Sequence, residues 1–150
     1  IFNHILDARV RDGSWNRVLP GELANLDGSG SVFAVDEVDA TLDERCRTLD
    51  IHPTGSLWGE DAPLSDGRVS ALETGVVAAL PELPQGLERA RAKAGHRALR
   101  ARIMQPRLDD AGEGVEIGFE LAAGVFATAV LREIVRYADS ADARQFSSST

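Results

Sequence analysis

The chain has 150 residues, of which 43% are hydrophobic and 27% are charged, so it can form a domain with a core and is too apolar for a disordered chain. Its net charge of −8 argues against general polyanion binding, and no apolar run approaches the roughly 20 residues that cross a membrane. Because Cys46 is the only cysteine, an internal disulfide is excluded and a reducing, cytoplasmic setting is favoured. The sequence begins with Ile1 and not with a methionine, so we expect a fragment or a processed product.

The first half of the sequence predicts helices and short strands. Apolar residues at helical spacing predict a helix over residues 1–11 that ends at Asp12–Gly13. Asp36 is the expected cap of a second helix that runs to about Leu49, and residues 51–64, rich in glycine and proline, are expected to form a loop. Three short strands precede that second helix in the prediction, near Arg17–Leu19, Glu22–Leu26 and Ser31–Val35.

Residues 65–95 predict two helices. Ser65 or Asp66 is the expected cap of the first, and Pro81 and Pro84 end it. A basic helix then continues to about Ala94, before Gly95. The apolar stripe of the first helix consists of Val69, Leu72, Val76 and Leu80.

The last third predicts a hairpin and a helix. Residues 99–104 and 115–121 alternate between apolar and polar side chains, and folding them about Asp110 gives an antiparallel hairpin with one buried face and with Arg100 opposite Glu120. A final helix over residues 125–138 follows, so the fold class is α+β. That helix is expected to bury Phe126, Val130, Ile134 and Tyr137.

Residues 86–107 form a basic segment on an acidic chain. They contain seven basic residues and one acidic residue, a net charge of +6, whereas the remainder carries −14. One interpretation is a surface that meets a phosphate backbone through Arg97, Arg100 and Arg102; the other is a solvated helix face followed by an edge strand.

Several common site chemistries find no support in the sequence. The three histidines and Cys46 lack the spacing of a metal site, so we expect no metal and place each histidine at the surface or in a loop. Gly28 and Gly30 precede a strand instead of a helix, which favours a turn over a phosphate loop. Trp58 either pins its loop to the body of the protein or contacts a partner.

Four stretches in this order resemble the TruD family of tRNA pseudouridine synthases: "IFNHILDARV", "SWNRVLPGE", "HPTGSLWG" and "LAAGVFATAVLREIV". The last is similar to the family's LPAG-[SY]-[FY]-AT-x-[LV]-RE signature, with Ala122 and Val125 as departures. The resemblance extends to about Tyr137.

The resemblance implies a particular organisation and reaction. Residues 1–103 would belong to the family's insertion domain, and residues 104–150 would return to its catalytic domain. The reaction would convert uridine 13 of tRNA to pseudouridine through an aspartate nucleophile, without a metal or redox cofactor. The motif that carries the aspartate (GxKD) does not occur in these residues, so we assign no catalytic residue here and expect this polypeptide alone to be inactive.

The resemblance also implies the substrate contacts. The aromatic residue of the signature contacts the target nucleotide in the family, and Phe126 matches it; the alternative is core packing. Thr128 would cap the helix or bind substrate, and Arg132 would reach a phosphate or form a surface ion pair. The partner would be tRNA, with Arg97, Arg100 and Arg102 along its backbone. A stand-alone RNA-binding module is the main alternative function, and a carboxylate hydrolase is a weaker one.

Overall fold

The computed structural model describes residues 1–60, 65–112 and 114–136, and it confirms the α+β class. The chain divides into two compact units, Ile1–Arg100 and Ala101–Thr150. The described helices are α1 (Phe2–Arg11), α2 (Ala40–Arg47), α3 (Gly67–Ala78), α4 (Glu82–Arg89) and α5 (Ala127–Ile134). The described strands are β1 (Glu22–Leu26), β2 (Val32–Val35), β3 (Ile51–Leu57), β4 (Gly95–Ala98), β5 (Met104–Asp110) and β6 (Val115–Glu120).

The first unit is built on a four-stranded antiparallel sheet in the order β2-β1-β3-β4. Asn25 of β1 lies opposite His52 of β3, and Gly55 of β3 lies opposite Arg97 of β4. Helix α2 packs on this sheet through Leu42 and Cys46. The buried cluster beneath it consists of Val18, Ala24, Val35, Cys46 and Ile51.

Strand β3 corrects the predicted loop over residues 51–64. Ile51 to Ser56 are all buried, and the strand pairs with a neighbour on each side. Proline and glycine usually weaken a central strand, which is why their presence indicated a loop. Here Gly55 has a packing function, because a Cβ there would stand 3.2 Å from Ile5 Cγ2 and 3.0 Å from Leu99 Cδ2. Residues 61–64 lie outside the described part.

The other predictions for the first unit have mixed outcomes. Helix α1 ends at Asp12 and Gly13 as expected, and Asp66 caps α3 by accepting the Gly67 N–H. Asp39, not Asp36, caps α2, because its side chain accepts the Leu42 N–H. The predicted strand at Arg17–Leu19 is wrong. The basic helix is also shorter than predicted: α4 ends at Arg89, and Gly95 begins β4.

The second unit contains the hairpin of β5 and β6, followed by α5. An antiparallel hairpin is present, but its first strand runs from Met104 to Asp110 and not over the predicted residues 99–104; Met104 lies opposite Glu120. Arg100 therefore does not face Glu120, and that prediction is wrong. Every residue of β5 is exposed, and Ile117 and Phe119 of β6 are half-buried, so the predicted buried face is not formed within the described residues.

Helix α5 is shorter and more exposed than predicted. It begins at Ala127, and no residue within its bounds is buried. Phe126 is 70% exposed and Ile134 is 53% exposed, which contradicts their expected burial in the core. Val130 is half-buried, and Tyr137 lies outside the described residues.

Candidate functional site

A tight corner joins β6 to α5. Gly124 adopts φ +88°, a conformation that residues with a Cβ rarely take, and the Val125 N–H donates to the Ala122 carbonyl at 3.2 Å. Phe126 then occupies the N-cap position of α5 with an extended backbone (φ −91°, ψ 119°), and its carbonyl accepts the Ala129 N–H at 3.0 Å. The corner therefore directs the chain so that an aromatic residue stands where the helix begins.

The side chains around this corner are open to solvent. Phe126 is 70% exposed, and Thr128 and Arg132 are also exposed. Thr128 and Arg132 are four residues apart on α5 and so lie one turn apart on one helix face. The corner can thus offer a stacking surface, a hydroxyl and a guanidinium, which are the groups that recognise an unpaired nucleotide.

The three arginines of the basic segment that are expected to meet a phosphate backbone lie in different environments. Arg97, on β4, is exposed, and its guanidinium carbon lies 5.4 Å from the centroid of the Phe2 ring. Arg102 is exposed in the stretch before β5 and belongs to the second unit. Arg100 is half-buried and ends the first unit.

Arg100 is bound to the interior of the first unit. Its Nη1 donates to the Asn16 carbonyl at 3.2 Å, and its Nη2 donates to the Ile51 carbonyl at 2.9 Å and to the Cys46 carbonyl. Its Nε donates to His52 Nδ1 at 3.1 Å. Four of the five N–H donors of the guanidinium are therefore engaged within the protein.

His52 is buried, contrary to the surface or loop position expected for each histidine. Its Nε2 lies 2.7 Å from Asp27 Oδ1, and its Nδ1 accepts from Arg100. Because Nδ1 is an acceptor, the proton of the neutral ring is on Nε2, which donates to the Asp27 carboxylate. The sequence did not indicate this arrangement, since β3 was predicted to be a loop.

A buried ion pair joins α1 to β1. Arg9 Nη1 lies 2.8 Å from Glu22 Oε2, and both side chains are 1% exposed. Arg9 Nη2 also donates to the carbonyls of Ser14 and Arg17. Burial raises the pKa of Glu22 to about 7, although Arg9 opposes the shift. Arg9 lies seven residues, or about two turns, after Phe2 on the apolar face of α1, so its burial could have been predicted from its position in the sequence.

A second buried carboxylate links α3 to β3. Glu73 is 1% exposed, and it accepts from the Ser56 N–H at 2.9 Å, the Ser56 hydroxyl at 2.7 Å and the Ser65 hydroxyl at 2.6 Å. His96 lies near this group, and burial lowers its pKa. Glu73 stands one turn after Val69, on the predicted apolar stripe, so its burial could have been expected.

The described residues contain no group of three or more histidine, cysteine, aspartate or glutamate side chains arranged to hold a metal ion. None of the helices in the same part of the chain combines the length and apolar character needed to cross a membrane.

Comparisons with known proteins point to one family. The family model described as tRNA pseudouridine synthase D (TruD) matches residues 1–134. Proteins of that name from Psychrobacter arcticus and Chromohalobacter salexigens are 50% and 44% identical to the chain. Each alignment covers 91% of this chain but only 36% and 40% of the relative, so the chain spans well under half of their length.

The fold agrees with these relatives. A crystal structure from Methanosarcina mazei that is described as a TruD superposes with a TM-score of 0.65 at 21% identity. The superposition covers 88% of this chain and 35% of that one.

Proposed function

This chain belongs to the TruD family of tRNA pseudouridine synthases, and we propose that it is part of an enzyme that isomerises uridine 13 of tRNA to pseudouridine. The observation that carries the proposal is the family match over residues 1–134, which includes the corner where Phe126 is exposed. The nucleophilic aspartate would come from a part of the enzyme outside these residues.

The proposal divides the work between the two parts of the chain. Residues 1–103 would form the insertion domain and contribute to holding tRNA, and residues 104–150 would complete the catalytic domain. The exposed side chains of Arg97 and Arg102 support a contribution to backbone contacts. Arg100 is less suited to that role, because four of its donors are already engaged.

Phe126 would form a wall for the target base. A uracil that is to be detached and rejoined through carbon must first leave its stack, which costs a few kcal/mol. An exposed ring at the start of α5 can offset part of that cost by stacking on the extruded base, and Gly124 lets the backbone approach closely. Thr128 would bind the nucleotide by its hydroxyl, and Arg132 would bind a nearby phosphate.

Substitution of Phe126 in the full-length enzyme tests the proposal. Loss of one base-stacking contact costs about 1–3 kcal/mol, so we expect Phe126→Ala to lower pseudouridine formation on bulk tRNA by about 5- to 150-fold. Phe126→Tyr keeps the ring and should retain most of the activity. Release of tritium from tRNA labelled at uracil C5 measures the rate.

Val10→Ala is the matched control, because it truncates an apolar side chain on α1 that is 52% exposed. Its rate should equal that of the wild type. Normal turnover by Phe126→Ala would show that the Phe126 ring does not contact the substrate. Binding of tRNA without turnover by the full-length wild type would favour an RNA-binding module over an enzyme.

A further inference from the structure

We propose that Arg100 is a positioning residue that fixes the point at which the chain leaves the first unit, and that it does not bind the RNA backbone. The inference rests on the proposed function, because the segment that follows Arg100 leads to the unit that carries Phe126. It assigns Arg100 to a different task from Arg97 and Arg102.

The acceptors of Arg100 come from three separate parts of the first unit. Asn16 lies between α1 and β1, Cys46 lies in α2, and Ile51 and His52 begin β3. One guanidinium thus ties a connecting segment, a helix and a central strand to the end of the unit. A phosphate needs two parallel N–H donors for a bidentate contact, and a guanidinium with four engaged donors cannot supply them without breaking this set.

Asp27 orients His52, the side-chain acceptor of Arg100. His52 Nε2 lies 2.7 Å from Asp27 Oδ1, which orients the ring so that Nδ1 points to Arg100. Asp27 follows β1, so the chain of bonds from Arg100 through His52 also reaches the neighbouring strand. Bonds of this kind that involve charged groups are about twice as strong as neutral ones.

Because Arg100 is the last residue of the first unit, its hydrogen bonds fix the chain at the point where it leaves that unit. The first unit ends at Arg100, and residues 101–103 are exposed and have no regular structure before β5 begins. The preceding residue, Leu99, is buried, and its N–H donates to the Pro53 carbonyl at 2.9 Å. The last two residues of the unit are therefore fixed, and the connection starts from a defined point.

Substitution by lysine separates the two roles, since lysine keeps the charge but cannot reach four acceptors. In the full-length enzyme we expect Arg100→Lys to lower kcat by about 10- to 100-fold, the range for small misplacements of a reacting group, while tRNA affinity and its salt dependence stay unchanged. The paired variant Arg97→Ala should instead reduce the slope of log affinity against log salt by about 0.7–0.9.

Two substitutions of His52 test the same set of bonds independently. His52→Asn keeps an acceptor near the position of Nδ1, whereas His52→Gln keeps a donor near Nε2 and loses the acceptor for Arg100. We expect His52→Gln to lower kcat as Arg100→Lys does, and His52→Asn to retain more activity. Arg47→Ala, which removes an exposed arginine of α2, is the control and should behave as the wild type.

Hydrogen exchange and thermal unfolding complete the experiment. Arg100→Lys and His52→Gln should speed exchange of the Leu99 amide, with the melting temperature of the first unit lowered by only a few degrees. Unchanged kcat in both variants of an active enzyme, or a lower salt slope in Arg100→Lys, overturns the positioning role. If the wild type makes no pseudouridine, the proposed function fails, and the positioning role fails with it.

Discussion

At the scale of single residues, the first unit keeps several charges in its interior. Arg9, Glu22 and Glu73 are each 1% exposed. Arg9 donates to a carboxylate and two carbonyls, and Glu73 accepts from three donors, whereas Glu22 Oε1 and Arg9 Nε are buried without a hydrogen-bond partner in the described residues. Removing one partner from a buried pair costs about 3–5 kcal/mol, because the other charge is left without compensation.

Glu22 should make stability depend on pH. Burial raises its pKa from 4.5 to about 7 in the folded state, so between these values the folded protein binds a proton that the unfolded chain has released. The free energy of unfolding therefore falls as pH rises from 4.5 to 7, by about 3 kcal/mol for this group. Denaturant unfolding across this range, followed by tryptophan fluorescence, measures the slope.

Glu22→Gln isolates this contribution from those of other groups. At low pH the neutral acid resembles the amide, so the two proteins should differ least there and most above pH 7. His96 has the opposite effect in the wild type, because burial lowers its pKa, and this effect cancels in the comparison. A difference that does not vary with pH would mean that Glu22 is ionised in the folded protein throughout the range.

The residue-scale predictions succeeded where a local pattern determines the outcome. Asp66 was predictable as a cap because capping depends on neighbours in sequence. The hydrogen bonds of Arg100 could not be predicted, because its acceptors lie 48 to 84 residues away in the sequence. The net charge of its segment indicated a basic surface and gave no information about contacts inside the protein. Helical periodicity predicted that Phe126 is buried, whereas the family resemblance predicted that it faces the substrate. Its exposure agrees with the second, and its contact with substrate stays a prediction.

At the scale of elements, β3 organises the first unit. Both β1 and β3 have a partner strand on each side, and β3 is also contacted by α1 and by α2. Its sequence, IHPTGSL, alternates apolar and polar residues, but Pro53 and Gly55 favour a loop, and the polar side chains are buried with the rest of the strand. Sequence periodicity predicted β2 and α3, which each have exposed and buried positions, whereas in β3 the proline and the glycine outweighed it.

Gly55 should be the most sensitive position of β3. An added Cβ would stand 3.0–3.3 Å from atoms of Leu99, Ile5 and Phe2, so one of these side chains would have to move. We expect Gly55→Ala to lower the free energy of unfolding by about 1–3 kcal/mol, the usual cost of overpacking. Urea unfolding of the chain measures the change.

Gly75→Ala is the matched control on α3. A Cβ at Gly75 meets no atom within 4 Å, and alanine is a better helix former by about 1 kcal/mol. This variant should be as stable as the wild type or slightly more stable. Equal stability of both alanine variants would show that α1 does not pack closely against β3 at Gly55.

At the scale of the whole molecule, the two units differ in how much they bury. The first has a core beneath α2 and a sheet in which β3 is almost wholly buried. The second presents apolar side chains to solvent within the described residues, among them Leu108 at 72%, Val115 at 64% and Phe126 at 70% exposure. Large apolar side chains are usually exposed in such numbers where a surface contacts something else, and the relatives are more than twice as long as this chain.

This difference should appear in hydrogen exchange of the 150-residue chain. Amides of β3 open only when the core of the first unit opens, whereas those of β5 lie in a two-stranded hairpin in which every β5 residue is exposed. We expect protection in β3 to exceed that in β5 by about 100-fold, which corresponds to about 3 kcal/mol in opening free energy. Mass spectrometry of peptides covering the two strands measures the ratio, and the helix α3 provides an internal reference within the first unit. Equal protection in both strands would mean that the two units open together as one cooperative structure, and the exposed apolar residues of the hairpin would then need a different explanation.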